Sequence, residues 1–152
     1  MESGLPVVSD QYACGMAIEV SIPSLKAAYA THRDTADSLG SGVSACLLRF
    51  YAVECALKAA LLRRENKRST ADLEKRDRSH DLRALAIRLR LPRHEIESLI
   101  DCTLKSDSGR RVAPEELHEV WRYGAALRDE DQKRMEATLL ALLTWVRREP
   151  GL

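Results

Sequence analysis

The chain has 152 residues, a length typical of one domain with a substantial hydrophobic core. Its formal net charge of +1 excludes a protein that attracts polyanions through overall charge alone. Seven glycines, five prolines and few aromatic residues favour helices, because strands are rich in aromatic and β-branched side chains.

The N-terminus and the cysteines indicate the compartment. Residues 1–10 lack the basic region and the apolar core of a targeting segment, and no apolar run reaches the length of about 18 residues typical of a membrane span. We therefore expect a cytoplasmic protein without membrane contact. The cysteines form no C-x-x-C pair, so we expect reduced, mostly buried thiols, no metal site and no cofactor. They are Cys14, Cys46, Cys55 and Cys102.

The first half of the chain predicts two long helices. The first follows Ser9-Asp10, a good cap, and carries Met16, Ile18 and Val20. Pro23 either kinks it or begins a second piece, and residues 31–42 read as a polar connection. The second helix runs from about Ser41 to Arg64. Its apolar residues recur at helical spacing on one face: Cys46, Phe50, Val53, Leu57 and Leu61.

A hydrophilic, arginine-rich loop at 63–79 follows, and its role is left open. It has room for a short helix at Ala71–Lys75, capped by Ser69 or Thr70. Its basic clusters read as solvated surface.

The second half of the chain predicts shorter helices and one long one. Ser79 is expected to cap a helix over 81–90, and Pro92 to start another that continues to Leu104. Pro114 opens a helix that Gly124 ends. The last helix covers 130–148 with Asp129 as its cap and one apolar face, formed by Met135, Leu139, Leu142 and Val146.

The elements together predict an all-α protein, an up-and-down bundle of four main helices plus short extra helices. Residues 1–10 would form an N-terminal tail, and 11–148 a single helical domain. No segment carries a strand pattern or an internal repeat.

Glu54 and Lys58 are the first candidates for chemistry. They stand four residues apart with the carboxylate first, the favourable order for a helix pair. An exposed pair would contribute only a few tenths of a kcal/mol. Because Val53, Cys55 and Leu57 surround them, a partly buried pair with a role in recognition is the alternative.

Two histidine segments are the other candidates. His80 and Asp81 stand at the start of a helix, where an imidazole either caps or holds the loop, or acts in chemistry. His118 and Arg122 stand one turn apart, so an arginine beside the imidazole could bind phosphate. Tyr123, like its neighbour Trp121, reads as a core or subunit-contact residue.

These residues lie in phrases that resemble the HEPN domain family. The phrases are YAVECALKAAL with Glu54 and Lys58, HDLRAL with His80 and Asp81, and WRYG with Arg122-Tyr123. The resemblance covers about residues 43 to 147. It implies a helical bundle, often a homodimer, in a prokaryotic toxin–antitoxin or phage-defence setting. Members are either metal-independent endoribonucleases or partners of nucleotidyltransferases and binders of nucleotides or RNA.

The chain departs from the nuclease pattern of that family, an arginine followed by four to six residues and a histidine. No histidine follows Arg122 at that distance. Arg88 and His94 match formally, but Pro92 interrupts their helix. Arg111 and His118 also match, with Arg111 in the loop before Pro114. If the pair works, His118 would transfer protons while Arg111 or Arg122 stabilises the phosphorane charge.

Three functions remain open at this point. The first is a HEPN-like protein that binds RNA, a nucleotide or a nucleotidyltransferase partner without a well-formed nuclease motif. The second is a metal-independent endoribonuclease toxin that uses His118 with Arg111 or Arg122. The third is an interaction subunit with a purely structural role.

Overall fold

A computed structural model describes residues 18–106 and 109–152 of the chain. The predicted helix start at Ser9-Asp10 and the positions of Met16 and Cys14 lie outside these residues. The helices and strands of the described part are α1 Ile22–Leu39, α2 Val43–Arg64, α3 Leu82–Arg88, α4 Arg93–Ser98, β1 Cys102–Thr103, β2 Arg111–Val112, α5 Leu117–Arg122 and α6 Asp129–Arg148. The protein is an all-α helical bundle, as the sequence predicts, with one small antiparallel β pair in the described part.

Of the two readings of Pro23, the structure supports the one in which it begins a helix, and this helix, α1, ends later than predicted. The Ser21 hydroxyl caps it by accepting from the Ser24 N–H, and Pro23 stands in its first turn, where no backbone donor is needed. Ile18 and Val20 therefore precede the helix. The polar connection predicted at 31–42 is wrong, because α1 continues to Leu39 and packs along α2.

Helices α2 and α6 carry the core, and both predicted apolar faces are confirmed. Every member of the two faces is buried, with Phe50, Leu57 and Leu139 fully enclosed. Small side chains on α2, among them Ala52 and Ala56, allow the neighbouring helices to approach closely. All the buried apolar residues of the described chain except Ala36 and Ala45 join into one cluster.

The loop at 63–79 folds more than predicted. It contains two 3₁₀ turns, Thr70–Asp72 capped by Ser69 and Lys75–Arg78, and backbone pairing with residues 20–21 holds the first turn in place. The carboxylate of Asp77 is fully buried, with Arg88 Nε 3.5 Å away. The buried Asp77 side chain thus anchors the second 3₁₀ turn to the interior of the protein.

The predicted helix from Pro92 to Leu104 is only half right. Helix α4 ends at Ser98, and Cys102–Thr103 pairs with Arg111–Val112 as β1 and β2. The Asp131 carboxylate accepts from the Thr103 N–H at 2.7 Å, so pairing with distant residues outweighs the helical pattern. The segment opened by Pro114 is a 3₁₀ turn followed by α5.

The end of α5 agrees with the sequence, whereas the cap of α6 predicted at Asp129 is wrong, because Arg128 is the N-cap. Helix α5 ends just before Gly124, whose φ of +73° suits glycine. Helix α6 begins at Asp129, with Asp129, Glu130 and Asp131 in its first turn, where the helix dipole favours negative charge. No helix in the described ranges is long and apolar enough to cross a membrane.

Leu139 and Leu140 provide a test of this packing, since they are neighbours on α6 with opposite environments. Leu139 is fully buried, whereas Leu140 is 49 % exposed. We expect Leu139→Ala to lower the free energy of unfolding by about 2–5 kcal/mol, because it leaves a cavity in the core. Leu140→Ala should change it by about 0.5 kcal/mol or less. Urea unfolding followed by circular dichroism measures both, and equal losses would show that the assigned face of α6 is wrong.

Candidate functional site

The site is built around the Glu54 carboxylate, which lies inside α2 with only 6 % of the residue exposed. Lys58, one turn further along the helix, donates from Nζ to Glu54 Oε1 at 2.6 Å. His80 Nδ1 lies 3.0 Å from Glu54 Oε2. Because a carboxylate only accepts hydrogen bonds, Nδ1 carries the proton, and a neutral His80 keeps its lone pair on Nε2. Of the two alternatives for the Glu54–Lys58 pair, the structure supports the buried one.

The second 3₁₀ turn and the start of α3 bring His80 to this carboxylate. Lys58 Nζ also donates to the carbonyl of Arg78 at 3.1 Å, which fixes the end of the turn against α2. Asp81 caps α3 by accepting from the Ala84 N–H at 3.1 Å. The cap predicted at Ser79 is wrong, because Asp81 is the N-cap, while the Ser79 hydroxyl donates to the carbonyl of Arg76 and accepts from the Asp81 N–H. Asp81 therefore holds the backbone, while His80 projects to the site.

His118 lies against His80, with ring centroids 4.2 Å apart and planes inclined by 40°. Helix α5 presents His118 to the core, where its ring also packs 5.6 Å from Phe50 and 6.4 Å from Tyr51. Only 5 % of His118 is exposed, and its buried Nδ1 has no hydrogen-bond partner among the described residues. The His80 side chain is 48 % exposed. His80 is thus the imidazole of the pair that solvent or a ligand reaches directly.

The two buried groups of the site respond to their surroundings in different ways. Burial alone would raise the pKa of Glu54, but the hydrogen bond from His80 and the charge and hydrogen bond of Lys58 outweigh it and lower the pKa. Burial, followed by the charges of His80 and Arg122, lowers the pKa of His118. At neutral pH the site therefore holds an ionised carboxylate beside a neutral His118.

The two candidate arginines lie in different places. Arg122, at the end of α5, donates from its guanidinium to the Tyr51 hydroxyl, and its charge acts on His118. Arg111 lies on β2, is 74 % exposed, and pairs with Asp101 at 3.6 Å. The structure thus places Arg122 near the histidines, whereas Arg111 pairs with the carboxylate of Asp101.

Tyr123 is 76 % exposed, so its assignment to the core is wrong, whereas Trp121 is buried as predicted. Tyr51, which the sequence analysis passed over, contacts the site most widely. Its ring lies near His118 and 5.9 Å from His32, and its hydroxyl accepts from Arg122. The available signal was spacing, since Tyr51 stands three residues before Glu54 on the same helix.

A cavity of about 300 Å³ opens beside Glu54 and His80. Its walls combine apolar side chains with the polar groups of the site. They are formed by Ile18, Val20, Leu25, Glu54, Cys55, Lys58, Thr70, Arg78 and His80. This volume is at the lower end of the range for small-molecule sites.

The described cysteines are protonated thiols, and Cys55 among them lines the cavity beside Glu54 and His80. Burial raises the pKa of Cys46, Cys55 and Cys102 to about 11, so these thiols stay protonated at neutral pH, and all three are free. Across residues 18–106 and 109–152, no group of three His, Cys, Asp or Glu side chains could hold a metal ion.

Comparison of the chain with family models, with curated proteins and with solved structures found no match in any of the three.

The lowered pKa of His118 predicts how stability depends on pH. Unfolding returns the imidazole to its ordinary pKa of 6.5, so between the two pKa values the unfolded chain binds more protons than the folded one. The contribution of neutral His118 to the unfolding free energy is therefore complete above pH 6.5. It is lost as the pH falls from 6.5 through the lowered pKa of the folded protein. Glu54 loses its contribution only below pH 4.5, because its pKa is lowered from that value.

We expect the unfolding free energy of the wild type to fall between about pH 7 and pH 5, and His118→Gln to show a smaller fall. His94→Asn is the matched control, since the His94 side chain is 78 % exposed on α4. Urea unfolding at several pH values measures the slopes. The same slope in wild type and His118→Gln would contradict a depressed pKa.

Proposed function

We propose that this protein is a HEPN-like RNA-binding protein of a prokaryotic defence or toxin–antitoxin system, and that RNA lies against the His80–His118 pair. The supporting observation is that the three segments that resemble the family meet at one point, Glu54 and Lys58 from α2, His80 from the start of α3, and Arg122 from α5. Segments far apart in sequence would not need to converge if each had a local structural role.

The charges at this point favour a phosphate. In the described ranges no carboxylate lies within ion-pair distance of Arg122, so its guanidinium is not neutralised. Its hydrogen bond to the Tyr51 hydroxyl holds the planar group in place. A guanidinium fixed in this way suits the oxygens of a phosphodiester, which accept two parallel hydrogen bonds.

Arg122→Ala tests the binding. We expect it to weaken the affinity for a short single-stranded RNA by about three- to tenfold and to reduce the slope of log affinity against log salt by about 1, because one phosphate contact is lost. Fluorescence anisotropy at several salt concentrations measures both. Arg93→Ala is the control, since Arg93 is 91 % exposed and pairs with Glu97 on α4. A wild type that binds no RNA would remove the proposal and leave a nucleotide, a nucleotidyltransferase partner or the purely structural role.

A second candidate, the metal-independent endoribonuclease, is favoured by the Glu54–His80 hydrogen bond. A carboxylate that fixes the imidazole tautomer leaves Nε2 of His80 as a proton acceptor. His80 would take the proton of a ribose 2′-hydroxyl, the 2′-oxygen would attack phosphorus, and the 5′-oxygen would leave with a proton. The products would be a 2′,3′-cyclic phosphate and a 5′-hydroxyl. Arg122 would stabilise the negative charge that develops on phosphorus oxygens.

In this candidate His80 takes the proton-transfer role expected of His118. His118 is neutral and enclosed, so it supports the ring of His80. The acid that protonates the leaving oxygen would come from a second copy, since the resemblance implies a homodimer. A molecular mass from light scattering tests the dimer, and competition by free nucleotides tests whether a nucleotide takes the place of RNA.

His80→Asn tests the nuclease candidate. We expect it to slow cleavage of labelled RNA in the presence of EDTA by about 100-fold or more, because a general base is removed. Glu54→Gln should have an effect in the same direction, since the amide no longer fixes the tautomer. His94→Asn should cleave like the wild type. A wild type that binds RNA without cutting it would reject the nuclease candidate while the binding proposal stands.

A further inference from the structure

An arginine lies between two tyrosine rings next to the histidine pair. The guanidinium carbon of Arg122 is 6.0 Å from the ring centroid of Tyr51 and 6.0 Å from that of Tyr123. We call these three residues the stacking platform. Cation–π contacts with both rings and the hydrogen bond to the Tyr51 hydroxyl restrict the motion of Arg122. The three side chains therefore form one connected group at the surface.

Tyr123 is the residue of the stacking platform whose ring is accessible to a ligand. It follows the last residue of α5, and the left-handed Gly124 turns the chain away directly after it. Of the Tyr123 residue surface, 76 % is exposed. A single exposed aromatic residue is common on protein surfaces, but here the ring also contacts a cation that itself contacts a second ring. The contact leaves Tyr123 largely exposed while limiting its freedom.

The space beside Tyr123 has apolar and polar walls that a base can contact. A cavity of about 210 Å³ borders the ring, and its other walls include Leu104, Val112 and Val120. Arg110, Glu116 and Glu119 also line it. The glutamates can accept hydrogen bonds from the amino groups of adenine, cytosine or guanine, while Arg110 can contact the phosphate of the same nucleotide, so the space suits a nucleotide whose base stacks on Tyr123.

We propose that the stacking platform binds unpaired bases of single-stranded RNA, an inference that rests on the RNA-binding function proposed above. The positive Arg122 would contact the backbone while the ring of Tyr123 stacks on a base. The platform is connected to the histidine pair through Tyr51, whose ring is 6.4 Å from His118, and His118 is 4.2 Å from His80. A duplex would not use the platform, because its bases are already stacked on each other.

Tyr123→Ala tests the platform without disturbing the core, since the side chain is exposed. The probes are a short fluorescein-labelled single-stranded RNA and the same RNA annealed to its complement. We expect Tyr123→Ala to weaken single-strand binding by about tenfold, the usual size of one base–aromatic stack, and to leave duplex binding unchanged. Tyr123→Phe should restore the single-strand affinity, because the hydroxyl is not needed for stacking. Leu140→Ala, at a 49 % exposed position on α6, should bind like the wild type.

The outcomes separate the platform from the function on which it rests. Wild-type affinity in Tyr123→Ala, with RNA bound, would overturn the platform and leave the RNA-binding proposal intact. Equal losses for single strand and duplex would also overturn it, since stacking on unpaired bases affects only the single strand. No binding of either probe by the wild type would overturn the proposed function, and the platform with it.

Discussion

The buried carboxylate of Glu54 is the constraint on which the site depends. Moving a charge into a protein interior costs several kcal/mol, and this cost is offset only if the charge is paired and hydrogen-bonded. Lys58 binds one oxygen and His80 the other, at 2.6 and 3.0 Å. The loop at 63–79 must fold so that His80 reaches α2, and Lys58 fixes that loop a second time through the carbonyl of Arg78.

The position of Glu54 also affects the surroundings of His118 and of Arg122 at the surface. His80, held by Glu54, covers one side of His118, and burial keeps His118 neutral. The packing of His118 against Tyr51 then connects the buried ion pair with Arg122 at the surface. Such fixed side chains favour recognition, because a side chain that is already held in place loses little conformational entropy on binding.

The regular parts of the fold were predictable from the sequence, because periodic burial is a local signal. The apolar faces of α2 and α6 could be read directly, and so could the end of α5 at Gly124. The end of α1 could not, because its polar second half shows a helical face only once α2 packs on it. The strand at Cys102–Thr103 also depends on partners far along the chain.

The site was predictable in its members but not in its arrangement. Glu54, Lys58, His80, His118 and Arg122 were all candidates, yet their roles depend on contacts that span irregular turns. The Glu54–His80 bond joins residues 26 positions apart across two 3₁₀ turns, which no periodic pattern describes. Tyr51 was missed for the opposite reason, because a tyrosine in an apolar helix reads as packing until its hydroxyl is seen to meet an arginine.

The most direct measurement follows the imidazole resonances of the four histidines by ¹H–¹⁵N NMR while a short single-stranded RNA is added. If RNA lies against the histidine pair, the signals of His80 and His118 shift together and saturate, while exposed His94 on α4 stays constant. His80 should also keep its proton on Nδ1 before and after binding, as its bond to Glu54 requires. Unchanged signals from His80 and His118 in a sample that binds RNA would show that the RNA lies elsewhere.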